Sequence, residues 1–367
     1  MGKIKLLFFG SDFSVGLTQA LSEQLIEIQK ENEIELYGVS SQNEMEVGLH
    51  EKVRNAGVNM TIIKDLDEHR NLKDLAKQVV EIITENGITH VNVHNNWQLA
   101  IMIYLKYRSI IPAKFKIIYT IHGYRHNSFL KSMIAIPMIG LALLLFTDRV
   151  ISMSKYVSKR FWFIGYKTDI VFYIMNKPEF NKTTNVITST PMKLVFPAQF
   201  RYGKNQDILI KAVADYVSKT NDRTIRLLLP GAGELVGEYQ SMVRSCGLDG
   251  IVEFPGKLQH KDVINLYETS NIALCSSNVE TYGRCIAEPF ALGRCLITKP
   301  TGVALDIVKD GRNGFFFNNS KELTDILIEL HNHPEKIVDV ATQGFNDKVV
   351  FSRDNVIRSY LDSLGKA

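Results

Sequence analysis

The chain predicts an α/β protein of two successive domains, each built on a parallel, doubly wound sheet. Three observations lead there. Its 367 residues match the length of two ordinary domains. Short apolar runs alternate with helix-period patterns, and the alternation occurs twice. A polar, aperiodic stretch, EFNKTTNVITST, separates the two series and reads as a linker over residues 179–191.

In the first series, residues 3–9 (KIKLLFF) form a buried strand, Gly10-Ser11-Asp12 a turn, and residues 14–29 a helix with Leu17, Leu21 and Leu25 on one face. Further strands are expected at 35–39, 58–63, 90–94, 116–121 and 149–153, with a helix over 71–85. These make a first domain of residues 1–178. The second domain, 192–350, opens on a strand at 192–196 (MKLVF). A helix at 207–219, a strand at 225–230, a helix at 234–246 and a strand at 252–255 follow. The series closes with a helix at 260–268, a strand at 272–275, a helix at 284–292 and a strand at 295–298. A last helix is expected at 352–364, within a tail of residues 351–367.

Composition narrows the function. Hydrophobic content of 45% and charged content of 22% are those of a globular chain, and a net charge of +4 without a basic tail points away from nucleic acid. Acidic residues crowd the stretch 21–85, while 106–177 is mostly basic, which points to an anionic partner on one part of the surface. Cys246, Cys275, Cys285 and Cys295 form no C-x-x-C pair, so a reducing compartment and no structural metal are expected. The amino terminus reads as a strand rather than a secretory signal, and a cytoplasmic protein is expected. Residues 132–146 (SMIAIPMIGLALLLF) are apolar nearly all round but fall short of the roughly 20 residues of a bilayer span. Either they are buried, or they dock on an anionic membrane surface beside the basic stretch, at the inner face of the plasma membrane.

The most informative stretch is NVETYGRCIAEPFALGRCLITKPTGVALDIVKDGRNG, from Asn278 to Gly314. Glu280 and Glu288 stand eight residues apart, with Tyr282-Gly283 between them. A carboxylate, a loop with glycine, and a helix carrying a second carboxylate can grip a nucleotide sugar. Free N–H groups at a helix start attract a diphosphate, and a carboxylate on the helix accepts hydrogen bonds from a ribose diol. If the interval were fully helical it would span roughly 12 Å.

E-x7-E followed by TGVALDIVKDGRNGFFF resembles the family-4 retaining glycosyltransferases of GT-B fold. The resemblance covers almost the whole chain, strongly in the second half and patchily in the first. It implies two Rossmann-like domains whose parallel sheets face each other across a cleft. The first would bind an acceptor and the second a nucleotide-sugar donor, with the last helix crossing back to the first domain.

The resemblance also distributes roles. Glu288 would hold the ribose hydroxyls. Glu280 would meet the donor sugar, by bonding its hydroxyls or by stabilising positive charge at the anomeric carbon. Tyr282, Gly283 and Arg284 would offer backbone N–H groups to the phosphates, although Thr281 could instead cap the helix. In FPAQFRYGKNQD, Lys204 and Asp207 match the K-x-x-D that follows the family's first strand, and Lys204 would meet the diphosphate. Gln199 stands where the family usually has arginine. Either Gln199 donates a neutral hydrogen bond, or Arg201 supplies the missing charge. Gly231 and Gly233 match G-x-G-E, and Lys257-Leu258 lies in a loop whose backbone would hold the base. Thr120-Ile121-His122-Gly123 matches T-x-H-G, which makes His122 a catalytic candidate beside Glu280. Ser14, Val15 and Gly16 fall in the family's first glycine loop over the acceptor, although its usual double glycine is absent. Ser154 would be structural.

The expected activity is transfer of a hexose-type sugar, with retention, from a nucleotide-diphosphate donor to a glycan or lipid-linked acceptor in surface-polysaccharide biosynthesis. Family frequency favours UDP. The nucleotide sugar is a co-substrate; no cofactor and no metal ion are expected, since helix dipoles and Lys204 can neutralise the leaving diphosphate. Two alternatives remain at this point, a GT-B-like nucleotide-sugar epimerase and a non-catalytic sugar-nucleotide-binding relic. A dinucleotide oxidoreductase is disfavoured, because GSDFSVG lacks the G-x-G-x-x-G fingerprint.

Overall fold

The computed structural model describes residues 3–10, 15–40, 51–63, 66, 71–108, 110–111, 114–122, 129–175, 180 and 191–365. The chain divides into two compact units. The first comprises Met1–Met153, Val157–Ile174 and Ser352–Ala367, and the second Ser154–Tyr156 and Met175–Phe351. Of the expected linker, only Phe180 and Pro191 lie within the described residues.

The first unit is built on seven parallel strands: β1 (Ile4–Gly10), β2 (Ile34–Ser40), β3 (Asn59–Ile62), β4 (His90–Val93), β5 (Lys116–Ile121), β6 (Arg149–Ser152) and β7 (Thr168–Ile170). Their order is β3-β2-β1-β4-β5-β6-β7. Leu6, Leu7, Phe9, Val39, Val91, Ile117 and Ile118 are wholly buried, as continuous apolar strands covered on both faces must be. The helices that intervene are α1 (Val15–Ile28), α2 (Leu72–Asn86), α3 (Asn96–Tyr107) and α4 (Phe129–Phe146). Helix α3 has no expectation from the apolar pattern. Its start is set by Asn95, whose side chain accepts from the Gln98 N–H at 2.8 Å.

The second unit has six parallel strands: β8 (Lys193–Val195), β9 (Arg226–Leu228), β10 (Val252–Glu253), β11 (Ile272–Cys275), β12 (Cys295–Thr298) and β13 (Phe315–Phe316), in the order β10-β9-β8-β11-β12-β13. β9 and β10 are shorter than the apolar runs at 225–230 and 252–255, because Pro230 and Pro255 carry no N–H for the ladder. Its main helices are α5 (Gln206–Thr220), α6 (Val236–Ser245), α7 (His260–Glu268), α8 (Arg284–Ala291), α9 (Ser320–Asn332) and α10 (Glu335–Asp347).

Helix α11 (Arg353–Gly365) belongs to the first unit. Arg353 Nε donates to Glu27 Oε2 at 2.8 Å, and its Nη2 reaches Glu31. Deeper in, Asn92 Nδ2 donates to the Tyr360 hydroxyl at 2.9 Å, while Asn92 Oδ1 accepts from Thr120 Oγ1 at 2.8 Å. The buried Asn92 thereby ties α11 to β4 and β5.

Each sheet has one point where the chain reverses its direction of winding. In the first unit it lies between β1 and β4, and in the second between β8 and β11. Open parallel sheets bind ligands beyond the carboxyl ends of the strands at such points.

Candidate functional site

In the second unit, the loops leaving β8, β9, β10 and β11 gather the residues expected to bind the donor. Ala198 N donates to Pro230 O and Phe200 N to Ala232 O, each at 3.0 Å, and Gly231 N donates to Gly256 O at 2.8 Å. The Gln199–Arg201 segment, the Gly231–Gly233 loop and the loop preceding Lys257 thus lie side by side. A Cβ on Gly231 would stand 1.9 Å from Ala198 O, so only glycine allows that approach. Gln199 is exposed, and its carbonyl accepts from Gln206 Nε2 at 3.1 Å. Arg201 is half-buried, and among the described residues its Nε has no hydrogen-bond partner. Lys257 is exposed and Leu258 half-buried.

At the switch point itself, Lys204 and Glu280 form an ion pair with 14% of each side chain exposed. The sequence reading assigns Lys204 to the diphosphate and Glu280 to the sugar; the fold joins the two side chains. Burial pushes the Lys204 ammonium down in pKa, but the Glu280 carboxylate more than offsets this and leaves it above the usual lysine range. The loops carrying the pair are braced by Ser276 Oγ, which donates to Lys204 O at 2.7 Å, and by Asn205 Nδ2, which donates to Ser276 O at 3.1 Å. The Glu280 N–H donates to Thr301 Oγ1 at 2.8 Å.

The interval from Glu280 to Glu288 is not helical throughout. Helix α8 begins only at Arg284, because Gly283 takes φ 88° in the left-handed region. The roughly 12 Å span of a continuous helix therefore does not apply. Gly283, not Thr281, occupies the capping position and makes no side-chain bond; the Thr281 carbonyl accepts from Ser154 Oγ at 2.5 Å. The buried Tyr282 and Gly283 lie just ahead of the helix start.

Glu288, 4% exposed, accepts from Arg284 Nε at 2.7 Å and pairs with His260 Nε2 at 2.8 Å, both on Oε1. Burial alone would raise its pKa. The His260 hydrogen bond and the Arg284 charge outweigh it and hold the carboxyl below the ordinary range. His260, at the start of α7, is absent from the sequence-based set. The only local signal for it is a histidine opening a helix just after the Pro255-Gly256 turn.

The first unit holds His122 and the start of α1. Val15 and Gly16 open α1, and Ser14 lies outside the described residues. His122 Nε2 is 2.6 Å from His94 Nδ1, and its Nδ1 is 2.9 Å from the Tyr173 hydroxyl. The three rings form a stacked row, and Phe8 of β1 lies against His94 with centroids 4.2 Å apart. Burial pushes His122 down to about 3 and His94 well below its ordinary value, so both imidazoles are neutral near pH 7. A neutral imidazole relays a hydrogen bond without carrying charge. A cavity of about 140 Å³ opens beside this row, lined by His94, Asn95, Asn96, Tyr119, Ile121, Ile139 and Phe161. His94 and the asparagines were missed in the sequence. An HNN run where β4 ends was the available signal, since it follows one of the two strands at the switch point.

Residues 178–346 match the family Glycosyl transferases group 1. Both parallel sheets match the GT-B fold. The Anabaena protein Alr3699/HepE, crystallised with UDP, superposes with a TM-score of 0.81 at 16% identity, covering 99% of this chain and 100% of that one. The lipopolysaccharide outer core galactosyltransferase WaaB gives a TM-score of 0.75 at 13% identity, with 99% of each chain covered. Among curated relatives, the alpha-monoglucosyldiacylglycerol synthase of Acholeplasma laidlawii is 26% identical over 166 residues, which are 44% of this chain and 40% of that protein. The matched stretch spans less than half the length of the curated relatives. The stretch matched by the family contains Lys204, Glu280 and Glu288.

Proposed function

We propose that this protein transfers a hexose-type sugar, with retention of anomeric configuration, from a nucleoside-diphosphate donor to a glycan or lipid-linked acceptor. The observation that carries the reading is the Lys204–Glu280 pair at the switch point of the second sheet, next to the glycine-opened start of α8. A diphosphate arriving there meets the Lys204 ammonium and the positive end of the helix. Arg201, with an unused buried donor, supplies the cation that Gln199 does not. Lys204 then shifts from Glu280 to the phosphates, which frees the Glu280 carboxylate for the donor sugar. Glu288, held by Arg284 and His260, takes the ribose hydroxyls. UDP is the favoured nucleotide, in keeping with a fold neighbour crystallised with UDP. In the first unit, both ring nitrogens of His122 are engaged, by His94 and by the Tyr173 hydroxyl, so His122 meets the reacting groups as a neutral hydrogen-bonding ring only by exchanging one of these contacts for them. The departing phosphate oxygen accepts the acceptor proton, which keeps the new bond on the face the leaving group vacates; no metal ion or cofactor is required in this scheme.

The same reading sets the protein in the cytoplasm, at the inner membrane face, in surface-polysaccharide assembly. Helix α4 turns Met138, Leu141 and Leu145 outward at i, i+3 and i+7, with 66%, 53% and 60% exposed. Trp162 and Tyr166 are exposed in the segment Lys159–Lys167 that packs on α4, and Lys159 is exposed there too. No helix among the described residues is long and apolar enough to cross a membrane. An apolar stripe with flanking aromatics and a cation suits an interfacial seat.

A panel of UDP-, GDP- and ADP-sugars in thermal unfolding, followed by nucleotide release with and without acceptor, tests the assignment. A bound donor at 100 times its dissociation constant adds about 2.7 kcal/mol of stability. If none of the panel shifts the transition, the transferase reading is rejected. Binding without acceptor-dependent release would identify a sugar-nucleotide binder.

A further inference from the structure

Cys275 ends β11 and Cys285 is the second residue of α8. Although the two are ten residues apart and belong to no metal-binding motif, their Sγ atoms lie 3.7 Å from each other. A carboxylate oxygen of Glu280 joins them, and the three donor atoms all lie within 4.8 Å of one another. Tetrahedral zinc with Zn–S bonds of about 2.3 Å sets its two sulfurs about 3.8 Å apart. The thiol pair already has that spacing, whereas a disulfide needs its sulfurs at about 2.05 Å.

We propose that Cys275, Cys285 and Glu280 form a site for a thiophilic divalent cation, zinc foremost, and that cation and nucleotide sugar exclude each other there. The site itself stands on the geometry of the three side chains. The exclusion rests on the proposed donor role of Glu280, which both ligands would need. Two thiolates and one carboxylate are a borderline-soft donor set that favours zinc over magnesium or calcium. Both thiols give up their protons to solvent as the two S–Zn bonds form, and the fourth position is left to water. Lys204 keeps the balance of charge: its ammonium and the cation together match the two thiolates and the Glu280 carboxylate. Cys275 is wholly buried and Cys285 half-buried, so the cation would enter from the Cys285 side. Cys246 is exposed and stands outside the cluster, which makes it an internal control.

The test is a zinc titration of the full chain against a chromophoric chelator, repeated with cobalt(II) to read thiolate-to-metal charge transfer in the near ultraviolet. The expected result is one zinc per chain. Affinity should fall at least about 100-fold in Cys285→Ser and in Cys275→Ser, with the charge-transfer band lost, and stay unchanged in Cys246→Ser. Absence of stoichiometric zinc, or wild-type affinity in both cluster variants, overturns the site. UDP-glucose, or whichever donor of the panel binds, is then titrated with and without zinc. Zinc should suppress donor binding in the wild type and not in Cys285→Ser; simultaneous binding overturns the exclusion. A wild type that binds zinc and no nucleotide sugar keeps the cation site and rejects the transferase reading, and the converse result does the opposite.

Discussion

Arg284 and Glu288, one turn apart on α8, are joined from Nε to Oε1 at 2.7 Å, and His260 reaches the same oxygen from α7. The acidic residue expected to bind ribose is therefore held in place before any ligand arrives. Its substitution takes away the negative charge that Arg284 and His260 share. Glu288→Gln should weaken binding of the preferred nucleotide sugar about tenfold by calorimetry, and lower unfolding free energy by about 1–3 kcal/mol.

The same carboxyl predicts a pH dependence. Its folded pKa is depressed, so the stabilisation is complete above the unfolded carboxylate value, about 4.3, and is lost as pH falls through the lower folded value. Thermal unfolding followed downward from pH 6 should show an acid limb that is shallower in Glu288→Gln than in the wild type. Identical limbs would separate Glu288 from the acid response.

His122 acts in a neighbouring window. With a folded value of about 3 against about 6.5 when unfolded, it binds fewer protons folded than unfolded between those values. Its contribution is therefore intact above about 6.5 and declines as the solution is acidified towards 3. His122→Asn should flatten the melting temperature across pH 6.5 to 4.5. In the proposed reaction the variant should lower kcat while KM for the donor stays within about twofold.

Lys204 and Glu280 are separable by kinetics. Lys204→Met removes the cation for the diphosphate and should raise donor KM at least about tenfold. Glu280→Gln keeps the shape of the site but loses the charge, and should lower kcat by about 10²-fold or more, with a smaller effect on binding. Equal KM effects from the two substitutions would contradict the division of roles.

Gly302 supports the acidic loop from beneath. Its φ is +54°, and an added Cβ would stand 2.4 Å from Tyr282 O and 2.9 Å from Glu280 Cβ. Gly302→Ala should cost about 2 kcal/mol or more by denaturant unfolding and reduce donor affinity together with stability, because the Glu280–Tyr282 backbone must move.

What could be read from the chain follows from short-range physics. Buried strands of a parallel sheet are continuous apolar runs, and amphipathic helices repeat every 3.6 residues, so β5, β11, β12 and α7 coincide with their expected limits. Short strands such as β7 and β13 give too little pattern to be seen. Helix α4 was visible as an apolar run, but its outward stripe of Met138, Leu141 and Leu145 was not, because a helix apolar on all sides has no periodicity to orient it.

By itself, the sequence determined two parallel α/β series and the loops in which Lys204, Gly231, Glu280 and Glu288 sit, since strand alternation and turn chemistry are local. Only the tertiary structure decided who meets whom. Lys204 reaches Glu280 across 76 residues, His94 reaches His122 across 28, and Asn92 reaches Tyr360 across 268. Such pairs are created by sheet order, which seats β8 beside β11 and β4 beside β5, and by the return of α11 to the first unit. Hydrophobic period carries no information about that order, because a parallel strand buried on both faces looks the same beside any neighbour.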